Sequence, residues 1–499
     1  MRLWLVGTVA VVIAIAVAFG IADESYLLVR LLALVVLWLM AEWVHGPLPE
    51  SWLLAWLLLG YIIGNRGFAQ SSLSSDVPLL PAEAVLLVTV PALVLRMVLG
   101  QVQALYRDKL NYALLAWIVI GAARLPLDLA AHGFYAVRDF AMVYYAVFFF
   151  LAQACAGHVS SVRLLRQTLT VTFIALPVVA AVEQLSPNFF FLHFTFRGVP
   201  MIFHKSDLLA AYLAGGFFWL WTRYEKTRLK IWIVPAAANL LMLGATNSNR
   251  AAMAGLFLVT LMWVLVALLF RDKRSFWRIA PAQVLIVGAG VSTVIFASVL
   301  TNRSLQQTVV YSAYEHAVSI FDVRGTGTYV NQESGDPGLN NRFRTTWWAT
   351  VAEDTVRKNP VFGLGFGYDL ASRFLVEYEL LAAEDFTTRS PHSMIFSVFG
   401  RMGALGLVLW LAVAAGMASL TYRCFQVGDF DAIGLVCIAW VLWFSACVGV
   451  VLEGPMGAVV FWVVLGLANR TLAEVKVEEP VTVADLQPAV PADEVAASP

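Results

Sequence analysis

Apolar runs about as long as a membrane helix recur along this chain, and they limit its fold more than any other feature. A membrane-crossing helix takes about 20 mostly apolar residues. Runs of that kind fall near 3–21, 26–44, 51–64, 83–104, 111–125, 134–155, 164–185, 207–222, 231–246, 251–270, 279–300, 393–421, 432–451 and 455–470, roughly fourteen spans by this measure. Two of them, 51–64 and 111–125, are short enough for re-entrant segments, so roughly twelve crossings also fit. The chain is 60% hydrophobic and 13% charged, against about 25% charged for a soluble protein. Its mean hydropathy is +0.77. The expected fold class is an all-α polytopic membrane protein with about 12–14 transmembrane helices.

Lysine and arginine in short loops set the orientation. Arg223, Lys226, Arg228 and Lys230 crowd loop 223–230, and Arg271, Lys273, Arg274 and Arg278 crowd loop 271–278. Arg107 with Lys109 and Arg163 with Arg166 mark two more loops. All four loops fall on one side of an alternating chain, which is therefore expected to be cytoplasmic, with both termini. Residues 3–21 lack a small-residue cleavage site before Asp23 and read as an anchor helix. The opposite side receives 65–82, 126–133, 186–206, the corner Asn247–Asn249 and the long segment 301–391. Within that segment Phe343, Trp347, Val351 and Thr355 recur every fourth residue, which predicts a helix over 343–357 ending before Asn359-Pro360. Residues 324–341, rich in Gly, Asn, Asp and Ser, read as loop. The acidic, proline-containing tail from Leu472 reads as disordered.

The 33 basic and 33 acidic residues cancel, so net charge points to no partner, nucleic acid included. Cys155, Cys424, Cys437 and Cys447 lie in or beside apolar runs without metal-type spacing, which supports neither a disulfide framework nor a zinc site.

Chemistry-bearing residues gather on the side opposite the basic loops. His132, His193, His204, His316 and His392 all fall there, and His392 stands apart because a helix begins directly after it, with Ser393 placed to cap it. Arg250 opens a helix at the outer corner T-N-S-N-R, where a guanidinium and free N–H groups suit an anion. Arg344 and Trp348, four apart, share a helix face, which also suits an amphipathic helix lying on the membrane. Arg197 and Lys205 precede a further helix start, with Ser206 or Asp207 as its cap. Cations collected where the positive-inside rule thins them imply an anionic ligand, and arginine forks match a diphosphate. Arg401, nine residues past His392, is an intramembrane arginine and so a functional candidate or a bundle-pairing residue; Arg96 and Arg30 are read the same way. Asp429-Phe430-Asp431 mimics a metal-binding D-x-D but falls on the basic-loop side. Gly363, Gly365 and Gly367 mimic a dinucleotide loop without the βαβ context and read as a tight turn near the site.

Three motifs in this order, Ser248-x-Arg250, Arg344-x-x-x-Trp348 followed by Pro360 and G-L-G, and His392-Ser393 followed by Gly403 and Gly406, resemble the signature of the O-antigen ligase/polymerase (Wzy-C type) superfamily over roughly 190–425. Asn249 splits the family's S-R pair, and Lys-Ser-Asp stands where relatives often carry asparagine. The resemblance implies a GT-C-like membrane glycosyltransferase with one large periplasmic loop. It implies an undecaprenyl diphosphate-linked glycan as donor and a saccharide or lipid A-core as acceptor, at the outer face of the inner (plasma) membrane. It implies no metal and no cofactor. His392, Arg344 and Arg250 would be catalytic, His392 as general base and the arginines on the diphosphate; Arg197, Lys205, Trp348 and Arg401 would bind substrate. The corresponding parts would be N-terminal helices 1–190, core helices 191–300, the periplasmic loop 301–392, C-terminal helices 393–471 and the tail 472–499. A transporter or flippase of lipid-linked sugar is the alternative, against which stands the lack of an internal repeat. Ligase and polymerase share these motifs.

Overall fold

The computed structural model describes residues 47–71, 80–196, 198–245, 250–269, 322, 337–377 and 389–475. Within them the protein is an all-α polytopic membrane protein. Its main helices are α1 (Pro49–Ala69, with a π turn at Gly60–Gly64), α2 (Pro81–Val98), α3 (Lys109–His132), α4 (Phe134–Ala156), α5 (Val159–Leu185), α6 (Ser206–Thr227), α7 (Ile233–Ala245), α8 (Arg250–Leu269), α9 (Pro337–Lys358), α10 (Met394–Val427), α11 (Phe430–Cys447) and α12 (Pro455–Val475). Seven of the described helices are long and apolar enough to cross a membrane, α10 the longest at 34 residues. The runs at 3–21, 26–44 and 279–300 lie outside the described residues, and each of the others falls on a helix.

Four expectations change. The run at 111–125 is not short: α3 has 24 residues and absorbs most of the loop expected at 126–133. Pro126 sits inside it, and the turns beyond that proline are held by an Arg124–Asp128 ion pair of 2.9 Å and by Asp128 accepting the Phe366 N–H at 2.7 Å. The run at 51–64 belongs to the 21-residue α1, which is also of crossing length. Residues 337–341, expected as loop, are helical, because Pro337 stands at the first position of α9, where its fixed φ suits a helix start. Residues 472–475, expected to begin a disordered tail, instead continue α12 to Val475; residues 324–336 and 476–499 lie outside the described residues.

The bundle closes on α6, most of whose residues are buried, and α11, whose residues are almost all buried. In lipid the hydrophobic effect does not drive helix against helix, so close packing at small residues and buried polar contacts carry association. At Gly434 a Cβ would meet Thr222 Oγ1 at 2.5 Å, and at Gly466 the Phe149 carbonyl at 2.3 Å. A polar network ties α3, α4 and α12 together: Asn469 Nδ2 donates to Gln153 Oε1 (2.8 Å) and Gln153 Nε2 to Asn111 Oδ1 (2.9 Å). Arg96 pairs with Glu50 at 2.9 Å, a contact between helices of the bundle; Arg30 lies outside the described residues.

A smaller core stands apart from the bundle. Trp347, Val351, Leu370, Ala371 and Phe374 bury one another, with Phe343 and Phe396 packed at the edge. The four-residue periodicity of α9 thus faces this core and seats α9 and the short helix Ser372–Glu377 against the start of α10.

Candidate active site

His392 lies at the turn into α10 with φ +54, in the left-handed region that few non-glycine residues adopt. Its neighbours hold that turn. The Trp348 indole N–H donates to the Pro391 carbonyl at 2.6 Å, and its ring stacks on Phe396 at 5.2 Å. Trp347 stands 5.9 Å from the half-buried His392 ring. One turn before Trp348, Arg344 Nη1 donates to the Val448 carbonyl beyond α11 at 2.7 Å. The shared face of Arg344 and Trp348 therefore clamps α9 over the His392 turn. Ser393 occupies the N-cap position, but its hydroxyl donates to the Cys447 carbonyl at 2.6 Å rather than capping α10, so it joins two helices.

The positive charge arrives from a different part of the chain. The hairpin of Thr195–Phe196 and Val199–Pro200 leads into a segment that docks on the irregular turn of α1. There Asn65, itself at φ +53, accepts the Lys205 N–H at 3.1 Å. Lys205, not Ser206 or Asp207, is the N-cap residue of α6. The Asp207 carboxylate holds Lys205 Nζ at 2.9 Å instead. Burial, then the cationic Arg344 and Lys205, push the His392 pKa down to about 4, with Asp207 pulling the other way. Burial also lowers the Arg344 guanidinium, again opposed by Asp207. Lys205, Asp207, Arg344 and His392 thus form one electrostatically coupled group in which the imidazole is neutral near pH 7 and free to accept a proton.

Beside this group lies a cavity of about 300 Å³, lined among others by Lys205, Arg138, Arg389, Arg401, Asp139 and Glu453. Arg401 Nη2 pairs with Asp139 at 3.0 Å, while its buried Nη1 has no hydrogen-bond partner among the described residues. Ser397 donates to Glu453 at 2.6 Å. Arg389 lies over the Tyr135 ring, 4.3 Å from its centroid, and donates to the Gly367 carbonyl at 2.6 Å. The glycine turn packs against two of these lining residues, Arg389 and Asp139. Gly363, Gly365 and Gly367 have φ of +75, +102 and +84, and Asp139 also accepts the Gly367 N–H at 2.9 Å. The turn enters a break in α10 at Gly403, where φ is +64; Leu364 donates to the Gly400 carbonyl at 2.6 Å and Ala404 to that of Pro360 at 2.8 Å. That break frees α10 backbone next to Arg401.

The structure therefore brings together His392, Arg344 and Lys205, braces them with Trp348, and sets Arg401 in a cavity shared with Lys205. Arg250 begins α8, and its side chain lies outside the described residues, as do Arg197, Ser248 and His316. The other histidines are occupied elsewhere: His132 packs edge-on to Tyr368 at 6.2 Å, His193 against Phe189 at 5.1 Å, and His204 pairs with Glu183. Arg138, Asp139, Arg389 and Glu453 were not anticipated. Glu453 carried a signal, being the one acidic residue between Asp431 and Glu474. Arg389 stands three residues before His392. Arg138 and Asp139 interrupt the apolar run at 134–155, and only the fold shows where they point. Asp429 caps α11, and Asp431 is held by Arg166, Arg223 and Lys226, which leaves the D-x-D lookalike committed to ion pairs.

Among curated proteins no relative matches this chain. Residues 235–411 match the family model described as O-Antigen ligase. That interval runs from α7 into α10 and contains Arg250, Arg344, Trp348, His392 and Arg401, while Arg197 and Lys205 precede it. Over residues 235–411 this membrane protein is similar to the O-antigen ligase family.

Proposed function

We propose that this protein transfers or polymerises glycan from an undecaprenyl diphosphate-linked donor onto an acceptor hydroxyl, at the periplasmic face of the inner membrane. The observation that carries the reading is the half-buried His392 turn, electrostatically coupled to Arg344 and to Lys205, which itself lines a cation-rich cavity. In the reaction the acceptor O–H gives its proton to the imidazole as its oxygen forms the new bond to the anomeric carbon. The C–O bond to the diphosphate breaks from the opposite face, and the diphosphate leaves with the electron pair, inverting the centre. Arg344, with Arg250, carries that developing charge, which preorganised cations do without a metal. Lys205, Arg197 and Arg401 hold donor phosphate or sugar, and Trp348 keeps the His392 turn in place. Donor binding has a further effect: a diphosphate neutralises the cations that depress the His392 pKa, so the base strengthens once the substrate is bound.

The test is the purified chain in detergent with lipid-linked glycan and a saccharide acceptor, with EDTA in a parallel reaction. The expected result is a glycosidic product of inverted configuration, formed equally with EDTA. Retained configuration would overturn direct displacement, and loss of activity in EDTA would overturn the metal-free reading. Movement of the lipid-linked sugar across vesicles without transfer would make the protein a transporter.

A further inference from the structure

A second cationic cleft lies at the far end of α6. Arg223 stands 18 positions beyond Lys205, about 27 Å along the helix at 1.5 Å per residue, so this cleft is separate from the candidate active site. Its volume is about 570 Å³, and its charged lining is Arg163, Arg166, Arg223 and Lys226 against the single carboxylate of Asp431. Arg166 Nη1 (2.8 Å), Arg223 Nη1 (2.9 Å) and Lys226 Nζ (2.8 Å) all converge on that carboxylate. One anion among four cations leaves a surplus of positive charge. The nearby Asp429 carboxylate accepts the N–H groups of Asp431 and Ala432 at the start of α11.

Two further observations point to a ligand. The Nε atoms of Arg166 and Arg223 are buried with no hydrogen-bond partner among the described residues, so these guanidinium groups are incompletely satisfied. The remaining wall is apolar: Val159 and Val171, 76% and 62% exposed, and Trp232 line the same cleft. A free phosphate uses only the cations. An amphiphile with an anionic head and an apolar chain uses both walls, and tryptophan is the residue that marks the membrane interface.

We propose that this cleft binds the phosphate headgroup of an anionic membrane lipid, with its acyl chain along the Val159–Val171 face of α5. Arginine forks from α5 and α6 would share the phosphate with Lys226, linking α5, α6 and α11 at the end of the bundle that carries the basic loops. The proposal stands independently of the transfer reaction.

The experiment uses the full chain, delipidated in a neutral detergent. Thermal unfolding and native mass spectrometry are followed with phosphatidylglycerol, with phosphatidylcholine of the same chain length, and with inorganic phosphate. The expected result is one retained phosphatidylglycerol per chain and a midpoint raised by several degrees, with little effect from the other two. Arg163→Glu, an exposed position outside the Asp431 ion pairs, preserves folding and should weaken phosphatidylglycerol binding about tenfold or more. An equal response to phosphatidylcholine, or unchanged binding by folded Arg163→Glu and Lys226→Gln variants, would overturn the proposal. Phosphate alone reproducing the whole shift would overturn the lipid assignment in favour of a free-anion site.

Discussion

The environment of His392 makes a prediction about pH that an ordinary histidine would not satisfy. Burial and two cations lower its pKa from 6.5 to about 4, a step that disfavours the protonated ring by about 3 kcal/mol at 1.36 kcal/mol per pKa unit. The sign follows directly: the ring is neutral above about 4, so lowering the pH from 7 to 5.5 should leave the base intact. A histidine at 6.5 would by then be only about a tenth neutral. The assay is initial-rate glycan transfer between pH 4.5 and 8. The kcat/KM profile reports the free enzyme and should stay flat on its acid side down to about pH 5. The kcat profile reports the donor complex, in which diphosphate offsets Arg344 and Lys205, so its acid limb should lie at higher pH. Arg344→Gln removes one of the opposing charges and should move the kcat/KM limb upward, though not to 6.5, because burial is the larger cause. A wild-type kcat/KM limb near 6.5, or identical limbs in the two profiles, would refute this account of the base.

Other consequences can be checked separately. Arg344→Lys keeps the charge but loses the planar fork and its reach to the Val448 carbonyl, so transfer should fall by more than about tenfold with the fold retained by circular dichroism. Gly403→Ala imposes a side chain at φ +64 and ψ −156, where its Cβ would meet the Val361 carbonyl at 2.4 Å; that essentially glycine-only backbone alone costs other residues about 1–3 kcal/mol, so thermal unfolding in detergent should shift to lower temperature. Labelling from outside whole cells should reach a cysteine at Gly335 and not one at Arg274; the reverse pattern would invert the orientation on which the periplasmic assignment rests.

The helices were legible because membrane solvent imposes one rule, length times apolarity, and every apolar run that is described falls on a helix, though only seven of these helices are long and apolar enough to cross. Boundaries failed where tertiary contacts took over, as in α3, whose last turns are fixed by Arg124, Asp128 and the glycine turn. His392, Arg344 and Lys205 could be chosen as candidates by residue type, position and charge asymmetry. Their coupling through Asp207 could not, because a carboxylate two residues after a lysine at a helix start reads as a cap. Ser393 misled for the same reason: a serine before a helix is read as local, and its bond to Cys447 is long-range. Arg138, Asp139 and Glu453 stayed hidden because the cavity is made by helices distant in sequence, and no spacing within one helix encodes it.

If His392 takes the acceptor's proton, single-turnover transfer by His392→Ala is the decisive measurement. Donor binding is measured on the same preparation. The variant's rate should fall by about 10²–10⁴-fold with donor affinity within about threefold of wild type, a difference of less than about 1 kcal/mol. Transfer by His392→Ala at the wild-type rate would contradict this role.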